Sequence, residues 1–187
     1  MKNLYLGLVH YPINNKRGEV VTTSVTNLDI HDIARSCKTF NVEKYFIITP
    51  LEAQQSLVNR ILGHWEQDKA SLYNPDRQDA LEIAQLADSV ETAFAEVTEL
   101  EGQRPLLAVT GANFQRFDGN AKALKLKMEI DNRPCLLLFG TGWGLNATVI
   151  EQADFMLDPI FGINHNYNHL SVRSAVAIYL DRLQGGQ

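Results

Sequence analysis

Short apolar runs, each followed by a longer stretch with helical spacing, recur along this chain, and that alternation limits what it can fold into. Leu4 to Val9 reads as a strand, stopped by Tyr11-Pro12. Asn27 is placed to cap a helix in which Leu28, Ile30, Ile33, Ala34 and Cys37 give one apolar stripe, and Tyr45 to Thr49 then reads as a buried strand closed by Pro50. Helix-then-strand order is the grammar of a parallel sheet. The pattern continues with a helix over Leu51 to Trp65, its core side carrying Leu57, Ile61, Leu62 and Trp65. A loop at Asn74-Pro75-Asp76 and a helix over Ala80 to Val97 follow. Pro105 opens a strand over Leu106 to Thr110; a helix covers Ala121 to Ile130. Pro134 opens the strongest strand, Cys135 to Phe139, and Leu157-Asp158-Pro159-Ile160 reads as a short strand and turn. An amphipathic helix over Ser171 to Leu183 ends the pattern. With no repeat, linker or low-complexity tract, the simplest reading is one α/β domain over 1–187: a mainly parallel sheet with helices on both faces.

Composition narrows the class. At 187 residues, 45% hydrophobic and 21% charged, the chain has enough apolar surface for a core and lacks the signature of disorder. Its net charge of −5 argues against a protein that coats nucleic acid along its whole surface, but not against a local phosphate-binding patch. Arg116, Lys122, Lys125 and Lys127, with Asp118 against them, form such a cluster; the plainer reading is a solvated helix face. Cys37 and Cys135 stand far apart in apolar surroundings, as buried thiols of a reducing compartment do. The N-terminal run lacks a signal-peptide cleavage site, and no run is long enough to cross a membrane. A cytoplasmic protein is expected.

In open α/β sheets ligands bind at the loops that follow the strands. Thr110-Gly111-Ala112-Asn113 is in isolation an ordinary turn. Gly140-Thr141-Gly142-Trp143-Gly144-Leu145 says more, with glycine at every second position directly after the strongest strand. The spacing is not that of a dinucleotide fingerprint, and no Lys-Ser/Thr follows as a phosphate loop requires. A nucleoside held by backbone and by apolar walls such as Leu145 and Ile160 fits such a loop; a tight turn that binds nothing is the competing reading. Asn164 to Arg173 is dense in polar donors and leads into the last helix, with Ser171 or Asn168 as its cap. His165 and His169 lie four apart, but no cysteine completes a metal site and none is expected. Arg35 sits on the first helix, where it could grip a phosphate or pair with Asp32.

Together these segments resemble the SPOUT superfamily of knotted RNA methyltransferases. Asn27, Ile33-Ala34-Arg35 and Phe40-Asn41-Val42 with the following strand resemble its first motif. Leu136 to Leu145 resembles the second, and Asn168-His169-Leu170-Ser171-Val172 with the helix to Leu183 the third. The likeness is to the small stand-alone members sometimes fused to a tRNA (guanine-N1) methyltransferase. It implies a C-terminal trefoil knot, a homodimer, an RNA substrate and S-adenosylmethionine held between three loops. By position, the cofactor residues would be Thr110, Gly111, Gly140, Thr141, Gly142, Leu145, Ile160, Asn168, Leu170 and Ser171. Arg35 matches the arginine that serves the target phosphate or 2′-hydroxyl in ribose-methylating members. This chain carries His31 and Asp29 where those members have Gly and Asn, which leaves the acceptor open between ribose oxygen and base nitrogen. In methyl transfer the protein positions the acceptor and assists its deprotonation, so Arg173 or Asp158 is expected beside it. The alternatives are a nucleotide-dependent enzyme, for which no phosphate loop or metal carboxylates are visible, and a non-catalytic module that binds the cofactor or RNA.

Overall fold

The computed structural model describes residues 3–65, 75–163 and 167–186. Its main sheet holds β1 (Leu4–Val9), β4 (Lys44–Ile48), β5 (Ala84–Ala87), β6 (Leu106–Val109), β7 (Cys135–Gly140) and β8 (Phe155–Met156), in the order β5-β4-β1-β7-β6-β8. Every pairing in it is parallel. A separate antiparallel hairpin joins β2 (Ile13–Asn14) to β3 (Val20–Val21).

Side chains alternate across a strand, and both faces of this sheet are buried. Leu4, Leu6, Leu8, Tyr45, Ile47, Leu137 and Phe139 point to one side. There they meet α1 (Asn27–Thr39), α2 (Glu52–Trp65), α3 (Pro75–Leu81), α5 (Ala121–Asp131) and α7 (Val172–Gln184) through residues such as Ile33, Val58, Leu81, Leu124 and Val176. Tyr5, Val9, Phe46, Ile48, Leu136 and Leu138 point to the other side. They pack on α4 (Val90–Glu101) and α6 (Ala147–Ile150) through Val90, Ala93, Val97 and Val149. The expected mainly parallel sheet with helices on both faces is therefore observed. Leu137 has no exposed surface, so truncating it to Ala costs about 2–5 kcal/mol through lost transfer energy and the cavity left behind.

The helix ends follow local chemistry. Thr26 caps α1, its Oγ1 accepting from the Asp29 amide at 3.1 Å and donating to the Asp29 carboxylate at 2.6 Å. Asn27, read as the cap, is the first helical residue instead. Asn120 and Ser171 cap α5 and α7 in the same way.

Four expectations need correction. Ala80 to Val97 is not one helix: α3 ends at Leu81, β5 crosses the sheet edge and Ser89 caps a new helix. The apolar spacing of Leu81, Ala84, Ala87 and Val90 suits a helix, and Ala-Gln-Leu-Ala lacks the β-branched residues that announce a strand. Pairing with β4 overrides that propensity. Among the described side chains of α2 the fully buried one is Val58, whereas Leu57 is exposed and the side chain of Trp65 lies outside those described. The short strand expected at 157–160 lies two residues earlier, at β8. In the loop read at 74–76, Asn74 is outside the described residues and Pro75 opens α3, a position that suits its fixed φ and missing N–H.

Candidate functional site

The site lies beyond the carboxyl ends of β1, β6 and β7. After β7 the chain turns so tightly that a Cβ on Gly140 would sit 2.6 Å from the Leu145 nitrogen, a backbone atom that cannot yield. Gly142, at φ +55°, presses on the hairpin: a Cβ there would meet Thr23 Cγ2 at 3.1 Å and Ile13 Cγ2 at 3.2 Å. Glycine at these positions is required by close approach and by left-handed backbone. After β6, Thr110 is buried and donates both its amide and its hydroxyl to the Leu138 carbonyl, at 3.1 and 3.0 Å. Asn168 Nδ2 donates to the Ala112 carbonyl at 2.7 Å, which ties the segment before α7 to the loop after β6.

These three segments enclose a cavity of about 780 Å³. Thr110, Gly111, Gly140, Thr141, Gly142, Leu145, Ile160, Asn168, Leu170 and Ser171 all line it. Apolar walls come from Phe139, Leu145, Ile150, Ile160 and Ala175, and polar edges from Thr110, Thr141, Asn168 and the loop backbone. That size, and a mostly apolar lining with few polar groups, is what a nucleoside-sized ligand requires. An adenosine-bearing cofactor thus fits the residues present.

Several cavity residues escaped the sequence reading. Asn14, on β2, clamps the glycine loop with both backbone and side chain. Its amide donates to Gly144 O at 3.0 Å and its carbonyl accepts from the Trp143 amide at 3.2 Å. Its Nδ2 donates to Leu145 O at 3.3 Å, and its Oδ1 accepts from Asn146 Nδ2 at 2.9 Å. Asn146 in turn caps α6. No local signal marks Asn14, because its partners lie some 130 positions away.

A chain of hydroxyls braces the same loop. Thr141 Oγ1 donates to the Val9 carbonyl at 3.0 Å, so its only proton is committed there. Thr23 Oγ1 must therefore donate to Thr141 Oγ1, and His10 Nδ1, 3.0 Å from Thr23 Oγ1, must be the donor to Thr23. This fixes the tautomer of His10. Its Nε2 is then a bare lone pair, buried without a partner. Protonating it would create a desolvated cation with an unpaired N–H, and burial accordingly lowers the His10 pKa to about 4, against smaller opposing effects of Asp29 and of Thr23.

Asp29 also lines the cavity, and it is buried. Arg173, in the first turn of α7, donates to Asp29 Oδ1 at 2.7 Å and lies 3.4 Å from Asp32. Half-buried Arg173 is thus locked to α1 at the edge of the cavity, without being among its lining residues. Asp158 is also outside the lining. Its backbone carbonyl accepts the hydroxyl of Tyr179, which does line the cavity, and burial pushes the Asp158 carboxyl above its ordinary pKa. Arg35 is exposed on α1. Six residues beyond Asp29, it stands about 9 Å further along the helix axis, at 1.5 Å per residue. His169 lines the cavity, its ring edge-on to Tyr167 at 5.2 Å; His165 lies outside the described residues.

A parallel α/β sheet with a nucleoside-sized cavity beyond its strand ends marks a nucleoside-binding protein of the α/β class. Residues 3–185 match the family described as SAM-dependent RNA methyltransferase, and the chain belongs to that family. A tRNA (guanine-N(1)-)-methyltransferase of Oleidesulfovibrio alaskensis is 42% identical over 184 residues; the match covers 98% of this chain and 42% of that protein, so the chain spans less than half of that relative's length. The fold is shared with a probable methyltransferase of Bordetella pertussis Tohama I, at TM-score 0.65 and 19% identity over 98% of this chain and 95% of that one. It is shared as well with the SpoU methyltransferase AviRb of Streptomyces viridochromogenes in complex with AdoMet, at TM-score 0.57 and 15% identity over 97% and 56%. The alternative of a non-catalytic module gains nothing from these comparisons.

Proposed function

We propose that the cavity holds S-adenosylmethionine and that an RNA nucleotide is presented at the edge where α1 meets α7. The observation that carries this reading is the convergence of ten residues from three separate segments on one cavity. Leu145, Ile160 and Leu170 supply apolar walls, while Thr110, Thr141, Asn168, Ser171 and the backbone at Gly111, Gly140 and Gly142 supply polar contacts. The bound cofactor supplies a methyl group on a positively charged sulfur. The chain's own task is then to orient the acceptor and take up a proton. Arg173, held rigid by Asp29 and Asp32, orients the acceptor. Asp29 lines the cavity, and Asp158, whose carboxyl takes up a proton more readily than usual, is joined through its carbonyl to the cavity residue Tyr179; carboxyl groups so placed favour a base nitrogen as acceptor. Arg35, on the exposed face of α1, grips an RNA phosphate outside the cavity.

The same reading includes a trefoil knot, a homodimer and a cytoplasmic home. The return of the chain after β8 to the loop beyond β6, where Asn168 bonds Ala112, supports passage of the last segment through a loop. The large apolar side chains Phe161, Ile163, Tyr167 and Leu170 are exposed together, at 49%, 98%, 76% and 47%, which supports a second copy covering them. No helix among the described residues is long and apolar enough to cross a membrane. A tRNA is the RNA suggested by the relative's name.

Titration calorimetry with S-adenosylmethionine, ATP and NAD tests the cavity; uptake of S-adenosylmethionine alone is the expected result. Radiolabelled methyl transfer to bulk RNA from a deletion strain tests the reaction. Arg35→Ala should abolish transfer while cofactor affinity stays unchanged; equal loss of both would make Arg35 a structural residue. Sedimentation velocity reads the oligomeric state, and a monomer at micromolar concentration would remove the homodimer.

A further inference from the structure

We propose that the β2–β3 hairpin and Trp143 form a contact surface for a single-stranded segment of the RNA substrate, with phosphates on Lys16 and Arg17 and a base stacked on the indole. The proposal rests on the RNA-methyltransferase reading and adds where the strand lies.

The hairpin turn is held by its own hydrogen bonds. Asn15 Oδ1 accepts from the amides of Arg17 and Glu19 at 2.8 and 3.0 Å, and the Gly18 amide donates to Asn15 O at 3.0 Å. The one carboxylate on the hairpin, Glu19, is engaged by Asn15 Nδ2 at 2.6 Å. Lys16 and Arg17 are exposed, and among the described residues neither has an ion-pair partner. A chain of net charge −5 therefore displays two adjacent uncompensated cations on a preformed turn.

Their position gives them meaning. The bond from the Trp143 amide to the Asn14 carbonyl fixes that turn beside the glycine loop. Trp143 lines the cavity, yet 53% of its surface is exposed. A large aromatic ring at the mouth of a nucleoside-sized cavity, with exposed cations two and three residues beyond Asn14, its backbone partner, has the two parts that single-stranded nucleic acid needs: a stacking platform and a phosphate track. Lysine and arginine capture phosphate without reading sequence, and any base stacks on an indole. The surface thus positions a strand and leaves choice of nucleotide to the cavity edge.

The test uses fluorescence anisotropy with a labelled, unstructured 12-nucleotide RNA over a salt series, and calorimetry with S-adenosylmethionine on the same proteins. Lys16→Ala/Arg17→Ala should weaken RNA binding about tenfold at low salt. It should also flatten the plot of log affinity against log salt by about 1.4, the loss of two single-strand phosphate contacts at about 0.7 each. Cofactor affinity should stay within about twofold. Trp143→Ala should cost about fivefold or more in RNA affinity through lost stacking, and Trp143→Phe should restore most of it. Unchanged RNA affinity and salt slope in the double variant would overturn the proposal. So would a parallel loss of cofactor affinity in that variant, since the hairpin would then act only by supporting the glycine loop. A parent protein that binds the RNA in a hairpin-dependent way but takes up no S-adenosylmethionine would overturn the cofactor reading alone.

Discussion

The two halves of the sheet end differently at the same edge. Beyond β4 and β5 the chain closes on itself. Thr49 Oγ1 accepts from the Leu51 amide at 3.4 Å, Gln55 Nε2 donates to Thr49 O at 2.9 Å, and α2 begins at once. After β5, Asp88 and Ser89 take the Thr92 hydroxyl and amide and start α4. Beyond β6 and β7 the segments instead bond to distant parts of the chain, Thr141 to Val9 and Asn168 to Ala112, and a cavity stays open between them. Helix capping satisfies backbone groups locally and fills the space above a strand. Where the polar groups find partners over a hundred residues away, as Asn14 does in the glycine loop, room for a ligand remains.

That contrast can be broken or sharpened by substitution, beginning with His10, which braces the open half. Its folded-state pKa of about 4 lies below the unfolded value of 6.5, so between these pH values the unfolded chain binds more protons and stability rises with pH. The contribution is complete above about pH 6.5 and lost as pH falls toward 4. It amounts to about 3 kcal/mol, since each tenfold change in proton affinity is worth about 1.4 kcal/mol. Denaturant midpoints across that window should drop less steeply in His10→Asn, which keeps a donor near the Nδ1 position but cannot titrate. Parallel lines for the two proteins would show that His10 does not titrate there.

A slightly smaller effect is expected at Gly140. Ala there forces its Cβ onto the Leu145 nitrogen, which costs about 1–3 kcal/mol by overpacking. Cofactor affinity should fall at least as sharply, because the glycine loop must shift; a titration showing unchanged affinity would separate that loop from the cavity's function. In the closed half, Ser89→Ala removes the α4 cap and should cost about 1 kcal/mol in thermal or chemical unfolding. It should leave cofactor binding untouched, and a matching loss of affinity would join the two halves energetically. Smallest of all, Gly63→Ala on α2, where an added Cβ meets nothing within 4 Å, should stabilise by roughly 0.5–1 kcal/mol.

The sequence was most legible where local chemistry decides the outcome. The apolar runs of β1, β4, β6 and β7 are buried on both faces, and the stripe of Ile30, Ile33, Ala34 and Cys37 packs as a helix should, although Leu28, read as part of it, is exposed. The residues taken from the loops after β6 and β7 and from the segment before α7 meet at one cavity because strand-end loops of a parallel sheet share one edge, whereas those of the first motif, Arg35 among them, do not line it. Legibility failed where tertiary context rules. Ala84–Ala87 is a strand only because β4 offers it a partner. Asn14, Thr23 and Asp29 belong to the site only because β1 lies between β4 and β7. The Asp88-Ser89 pair, a cap signal in mid-segment, was readable and marks the true start of α4.

The clamp at Asn14 has a further consequence for how the molecule is made. The glycine loop takes its shape only when a hairpin from the first twenty residues meets a segment from beyond residue 140. Joining points so far apart along the chain is slow, since the entropy of closing that span is lost before the contact forms. During synthesis the early hairpin must wait for the polymer that will complete it. Uptake of the methyl donor should therefore be the last native property to emerge during refolding, after the helices on both faces have formed.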